Sequence, residues 1–178
     1  MDYKGSFSID EAVAWVRGGK DQIKFEGKTI QGIVGREWEG KSIIIKSSTL
    51  LWGIYLENCR KICLIIENVT GGNIFIESSK EVTIRIRDTN VTFLKIEKSE
   101  VEIEMEDVSI LGNVSIETSE VQMEAKDFSV IGNIDIEKSK IIGSVENGKV
   151  SGNFTYEESE IKLQRKDVYI AGRIIEVD

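Results

Sequence analysis

Glutamate recurs at every twentieth position along much of the chain, and this row of carboxylates is the first candidate for chemistry. The six positions are Glu57, Glu77, Glu97, Glu117, Glu137 and Glu157. Stacked carboxylates could bind cations or a basic partner, and their mutual repulsion predicts raised pKa values for some of them. We favour the alternative of a solvated face screened by nearby basic residues, namely Arg60, Lys80, Lys98, Lys138 and Lys140. Calcium needs oxygens that converge on one point, so a linear column predicts no metal site.

A second polar series invites comparison with the paired carboxylates of glycosidases. Its members are Asn68, Asp88, Asp107, Asp127, Asn147 and Asp167. An acid and a base would have to flank one scissile bond. A role in turns is a simpler explanation for the spacing of one such residue per repeat, because short polar side chains form hydrogen bonds to their own backbone there. We therefore interpret the series as a corner and assign no catalytic residue.

Aromatic residues form a third candidate site, in this case for binding. Tyr55 and Phe75 are 20 residues apart, in the same outward column as Lys95. They are a candidate platform for a sugar ring or a partner side chain, while cross-strand pairing for stability is the simpler interpretation. Trp38 and Trp52 lie in or beside the least regular repeat and either pack against a cap or mark an interface.

Composition excludes several functional classes. Without histidine, imidazole catalysis and the commonest zinc ligand are absent, and the sequence predicts neither an enzyme nor a cofactor site. A net charge of -8 without a basic patch argues against direct binding to nucleic acid or anionic membranes. Cys59 and Cys63, four residues apart, are expected to be reduced thiols and too few for a zinc site. The opening MDYKGSFSIDEA does not read as a signal peptide, so we expect a cytoplasmic or virion-associated chain.

The elements that position these residues follow from the same 20-residue period. Two apolar columns, three residues and one residue before the glutamate column, are predicted to point inward: Ile54, Ile74, Leu94, Val114, Ile134, Phe154 and Leu56, Ile76, Ile96, Ile116, Ile136, Tyr156. Small residues follow two positions after the glutamate: Cys59, Ser79, Ser99, Ser119, Ser139 and Ser159. Gly-Asn pairs, such as Gly112-Asn113, mark another corner.

Within residues 113–132, apolar residues alternate in three short runs, which is typical of strands. Three strands and three corners per coil of roughly 20 residues predict an all-β fold, a single-stranded right-handed parallel β-helix over residues 21–178 with six or seven coils. The step from Asp88 to Asp107 is one residue short, so one residue is expected to move between corners. Residues 1–20, with the capping box Ser8-Ile9-Asp10-Glu11, predict an N-terminal capping α-helix in the same domain.

The helix followed by stacked coils resembles the right-handed parallel β-helix superfamily of pectin-lyase-like proteins, in architecture only. The polysaccharide lyases and hydrolases of that superfamily carry long loops that form a carbohydrate cleft, and this chain has minimal corners and no matching catalytic motif. The chain also resembles the bactofilins, which are short, loop-poor β-helices that assemble, although their coils are shorter.

Two regions depart from the regular pattern. In residues 133–152, Gly143 and Gly148 stand where the preceding coil has Met123 and Phe128, which predicts a soft spot unless the coil narrows or neighbours fill the space.

At the C-terminus, RIIEVD continues the strand pattern without a cap. A bare edge is a template for pairing, so Arg173, Ile174, Ile175 and Val177 are predicted to form a homo-oligomer contact, unless charges at Arg173, Glu176 and Asp178 blunt the edge.

Together these features favour a non-enzymatic structural or protein-interaction rod that self-associates through its C-terminal coil. One alternative is a carbohydrate-binding or carbohydrate-active β-helix, for which the residues are Tyr55 and Phe75. Another is an acidic nucleic-acid mimic that binds a basic protein through the glutamate column. The absence of proline and the abundance of Glu, Lys and Ile would also suit a thermophilic source.

Overall fold

The computed structural model describes residues 21–177, and in this range every regular element is a β-strand. The strands are β1 (Gln22–Glu26), β2 (Thr29–Arg36), β3 (Ser42–Lys46), β4 (Thr49–Glu57), β5 (Arg60–Glu67), β6 (Asn73–Glu77), β7 (Lys80–Val91), β8 (Phe93–Glu97), β9 (Glu100–Ile110), β10 (Val114–Glu117), β11 (Glu120–Val130), β12 (Ile134–Glu137), β13 (Lys140–Val150), β14 (Phe154–Glu157), β15 (Glu160–Ile170) and β16 (Ile174–Val177). The expected capping helix of residues 1–20 lies outside the described residues.

The strands form two parallel sheets of eight, one from the odd-numbered and one from the even-numbered strands. Each strand pairs with the strand two places along the chain, which is the topology of a right-handed-type parallel β-solenoid, as expected. Residues 21–177 form eight coils rather than six or seven. The glutamate column understates the number because Arg36 in β2 and Val177 in β16 occupy its first and last positions.

The long odd-numbered strands bend sharply, and this bend gives each coil its third face. Every member of the Asp/Asn series has a left-handed backbone conformation, with φ between the 49° of Asp88 and the 53° of Asp107. Asn and Asp tolerate this conformation because their short polar side chains bond locally. The series therefore marks a corner, as the sequence indicated.

A ladder of hydroxyl groups stabilises the corner after the glutamate column. In each step a serine Oγ accepts a hydrogen bond from the backbone N–H one coil earlier and donates to the carbonyl two residues before it. For Ser119, the Ser99 N–H lies 3.1 Å from Oγ, and Oγ lies 2.7 Å from the Glu117 carbonyl. The small-residue column thus satisfies buried backbone groups at the turn.

The core is a stack of aliphatic residues, chiefly isoleucine, on the inward faces of both sheets. Side chains such as Ile54, Ile74 and Leu94 are fully buried, while Ile134 and Phe154 further along the same column are half-buried. Burial therefore declines toward the C-terminal end of the rod.

The shortened step in the Asp series arises from a bulge. Glu81 in β7 has a φ of 54°, and the register jumps from a 20-residue offset before it to 19 residues between Val82 and Val101. The offset returns to 20 between Leu94 and Val114. One residue has moved from the bulge to the corner at Leu111, whereas the sequence predicted a move between two corners.

Candidate functional site

The glutamate column forms a continuous row on the outer face of the even-numbered sheet. Strand register places all six glutamates directly beside one another. Arg36 Nε lies 2.8 Å from a carboxylate oxygen of Glu57, and Lys138 Nζ lies 2.7 Å from Glu137. Basic side chains therefore neutralise part of the row, which agrees with the screening interpretation.

Glu97, on this face, has a clearly lowered pKa. Lys95 Nζ and Lys98 Nζ each lie 2.8 Å from one of its carboxylate oxygens. These two hydrogen bonds lower the pKa of Glu97 to about 2. The raised pKa that repulsion within the column predicted is wrong at this position, since two close cations outweigh the neighbouring carboxylates.

The basic partners were only partly predicted. Lys98 and Lys138 bind column glutamates as expected, whereas Arg60 binds Glu81 at the bulge instead. Lys95 and Arg36 were not predicted as partners. Lys95 is two residues before Glu97 on one strand, a spacing at which side chains share a face, so its position contained the signal.

Tyr55 and Phe75 are neighbours in register on the same outer face, and Lys95 follows them. The Tyr55 hydroxyl donates a hydrogen bond of 2.6 Å to Glu77, and this bond raises the pKa of Tyr55 to about 12. The ring of Phe75 lies 5.7 Å from that of Phe93, tilted by 38°. Phe93, which sequence reasoning missed, thus extends the aromatic surface across a third coil.

The structure separates the two tryptophans that sequence left undecided. Trp38 is 7 % exposed and lies against Gly35, where an added Cβ would come within 2.5 Å of its ring. Trp52 is 65 % exposed. Trp38 is a core residue, and Trp52 belongs to the surface.

The remaining candidate features are the two cysteines, possible metal ligands and possible membrane-spanning helices. Cys59 and Cys63 are free thiols, and burial raises the pKa of Cys59. Within residues 21–177, no group of three or more His, Cys, Asp or Glu could hold a metal ion. No helix in this range is long and apolar enough to cross a membrane.

The empty space predicted beside the two glycines of residues 133–152 is partly filled. The ring of Phe128 fills the space beside Gly148, and at Gly143 the backbones close up, since an added Cβ would lie 1.9 Å from the Met123 carbonyl oxygen. A cavity of about 390 Å³ nevertheless remains in the C-terminal half of the solenoid. We call it the end cavity.

The predicted oligomer contact lies beside this cavity. Within residues 21–177, β16 pairs with β14 on one side only, and Ile174, in the inward column after Phe154, is 58 % exposed. Val177 is exposed, Ile175 is half-buried, and the Arg173 N–H donates to Asn153 Oδ1. No residue in the described range covers the open edge of β16.

Comparisons with known proteins add little to this geometry. No protein-family model and no curated protein matches the chain. Among solved structures, it is similar to the Streptococcus pneumoniae surface protein and adhesin PfbA, with 9 % sequence identity, a TM-score of 0.27 and coverage of 94 % of each chain. A similarity at this level carries no argument about the function of this chain.

Proposed function

We propose that this chain is a non-enzymatic structural or protein-interaction rod that self-associates through its C-terminal end. The observation that carries the proposal is the loss of burial in the last coils. Inward residues that are fully buried in the middle of the rod, such as Leu94, correspond to the half-buried Phe154 and the exposed Ile174.

Two properties of the end make pairing with a second copy favourable. Among residues 21–177, no strand pairs with the outer edge of β16, and such edges pair readily with another strand. Burying the exposed part of Ile174 and its half-buried neighbours would also remove apolar surface from water. A contact between two C-terminal ends would satisfy both requirements.

Sedimentation over a range of protein concentrations tests this proposal with the wild type and Ile174→Lys. The wild type should form a dimer or larger species, and the variant should be a folded monomer, because a buried lysine at the contact costs free energy. Ile131→Lys is the matched control, since Ile131 is 55 % exposed but lies at a lateral corner; it should associate like the wild type. A monomeric wild type at high concentration would exclude self-association.

Carbohydrate binding is a second candidate because Tyr55, Phe75 and Phe93 lie on three successive coils of one outer face. Stacking on such rings would make binding of an oligosaccharide sensitive to Phe75→Ala, which a titration followed by tyrosine and phenylalanine NMR signals can measure. The nucleic-acid mimic is less favoured, because several column glutamates already have basic partners within the chain.

A further inference from the structure

The end cavity is an apolar chamber inside the last coils of the solenoid. It is lined by residues such as Ile136, Ile141, Val150, Leu163 and Tyr156, from both sheets. Its volume of about 390 Å³ falls within the range of about 300–1,000 Å³ that is usual for small-molecule sites.

The cavity arises from particular side chains and not only from the open end. The inward column that runs from Phe25 through Ile66 and Ile86 to Met105 continues with two smaller side chains, Ala125 and Val145. Gly143 and Gly148 lie in the same coil as Val145, and the space of their missing side chains is partly taken up by the Met123 backbone and the Phe128 ring. In the last coil, the positions after Gly143 and Gly148 carry Leu163 and Val168, and both side chains line the cavity.

Arg165 is the exceptional residue of this lining. It occupies the next position after Val145 in an otherwise apolar inward column, and it lines the cavity while remaining exposed at its mouth. It has no ion-pair partner within residues 21–177, although most other arginines of this range do, for example Arg85 with Glu104 and Arg87 with Glu106. A cation at the mouth of an apolar chamber is complementary to an anionic amphiphile.

We propose that the end cavity binds a medium-chain carboxylate, with the alkyl chain among the aliphatic lining and the carboxylate at the Arg165 guanidinium. The guanidinium can bind a carboxylate through two parallel hydrogen bonds. The whole chain has a net charge of -8, so the ligand is held by this local cation and by burial of its alkyl chain. This inference does not rest on self-association.

Isothermal titration with dodecanoate below its micelle concentration tests the head-group contact, at a protein concentration where sedimentation shows a monomer. Arg165→Gln should weaken dodecanoate binding about tenfold and leave binding of dodecan-1-ol unchanged, because only the carboxylate uses the charge. Lys162→Gln is the matched control: it removes a cation from the same strand on its exposed outer side and should bind dodecanoate like the wild type. Absence of dodecanoate binding to the folded wild type would overturn the proposal, as would an equal loss in both variants.

A second measurement locates the alkyl chain. Val145→Phe adds volume inside the cavity and should abolish binding of both probes. Because this variant can also lose stability, the wild type is examined with dodecanoate that carries a nitroxide at its chain end. Methyl signals of Ile136, Ile141 and Val150 should broaden, while those of Ile23 and Ile43 in the distant core should not. Broadening confined to the exposed Leu51, Leu111 and Ile131 would place the ligand outside the cavity and contradict the proposal.

Discussion

The ring of Phe128 occupies the space that a side chain on Gly148, its register neighbour in the next coil, would fill. A Cβ on Gly148 would lie 2.2 Å from two carbons of that ring. The small residue and the large one therefore share one volume across two coils, and the glycine compensates for the phenylalanine.

Gly148→Ala should consequently destabilise the solenoid by about 1–3 kcal/mol, because the methyl group forces the Phe128 ring out of its place. Adding Phe128→Leu should cost less than the sum of the two single changes, since the smaller side chain leaves room for the methyl group. Urea unfolding of the two single variants and the double variant measures this coupling. Additive costs would show that the two residues do not share space, and Ser144→Ala on the exposed side of β13 is the control.

Ser119→Ala should destabilise the protein by about 1–3 kcal/mol. The substitution leaves the buried Ser99 N–H without its side-chain acceptor, and an unsatisfied buried donor is costly. Ser115→Ala, on the outer face of β10 in the same coil, should change the unfolding free energy by less than about 0.5 kcal/mol. Similar effects of the two substitutions would contradict a structural role for the hydroxyl ladder.

Thr118→Asn should stabilise the protein by about 1 kcal/mol. Thr118 has a φ of 50°, a conformation that is costly for a β-branched side chain and tolerated by asparagine. Asn58 occupies the corresponding corner with a φ of 53°. Thr155→Asn, within β14, should destabilise instead, because asparagine is disfavoured in strands. Thermal unfolding of both variants gives the sign of each effect.

Glu97 should make stability depend on pH below about 4.5. Its pKa is about 2 in the folded chain against an ordinary value of 4.5, so between these values the unfolded chain binds more protons. The stabilisation from Glu97 is therefore complete above pH 4.5 and is lost as the pH falls through about 2.

Urea midpoints of the wild type and Glu97→Gln, measured between pH 2 and pH 6, check this prediction. The difference between the two proteins should be largest above pH 4.5 and should vanish near pH 2. Lys95→Gln should reduce the same difference, because Lys95 is one of the two cations that hold the carboxylate. Parallel profiles for the wild type and Glu97→Gln would contradict the pKa assignment.

The coil architecture could be predicted from the sequence because each coil of a solenoid contacts only its neighbours. Residues 20 apart in the chain are therefore neighbours in space, so that the column from Glu57 to Glu157, the inward column of Ile54 and the serine corner are all visible as a repeat. The same locality explains why the missing residue between Asp88 and Asp107 could be interpreted as a shift between corners.

The ion-pair partners, burial and backbone conformation of individual residues could not be predicted from the repeat. The choice of Lys95 as a partner for Glu97, the burial of Trp38 and the exposure of Trp52 depend on side-chain directions that the repeat does not specify. The left-handed conformation at Thr118 was also hidden, because threonine does not favour it, and only the stacking of its corner on the neighbouring coils imposes it.

The sequence by itself determined the period, the inward and outward faces, and the two glycines at Gly143 and Gly148. Only the tertiary structure decided what became of the space beside them. Phe128 fills one part, backbone approach at Gly143 closes another, and the remainder is the end cavity with Arg165 at its mouth. A repeat specifies which residues stack, whereas the volume left between them depends on how the actual side chains fill a closed coil.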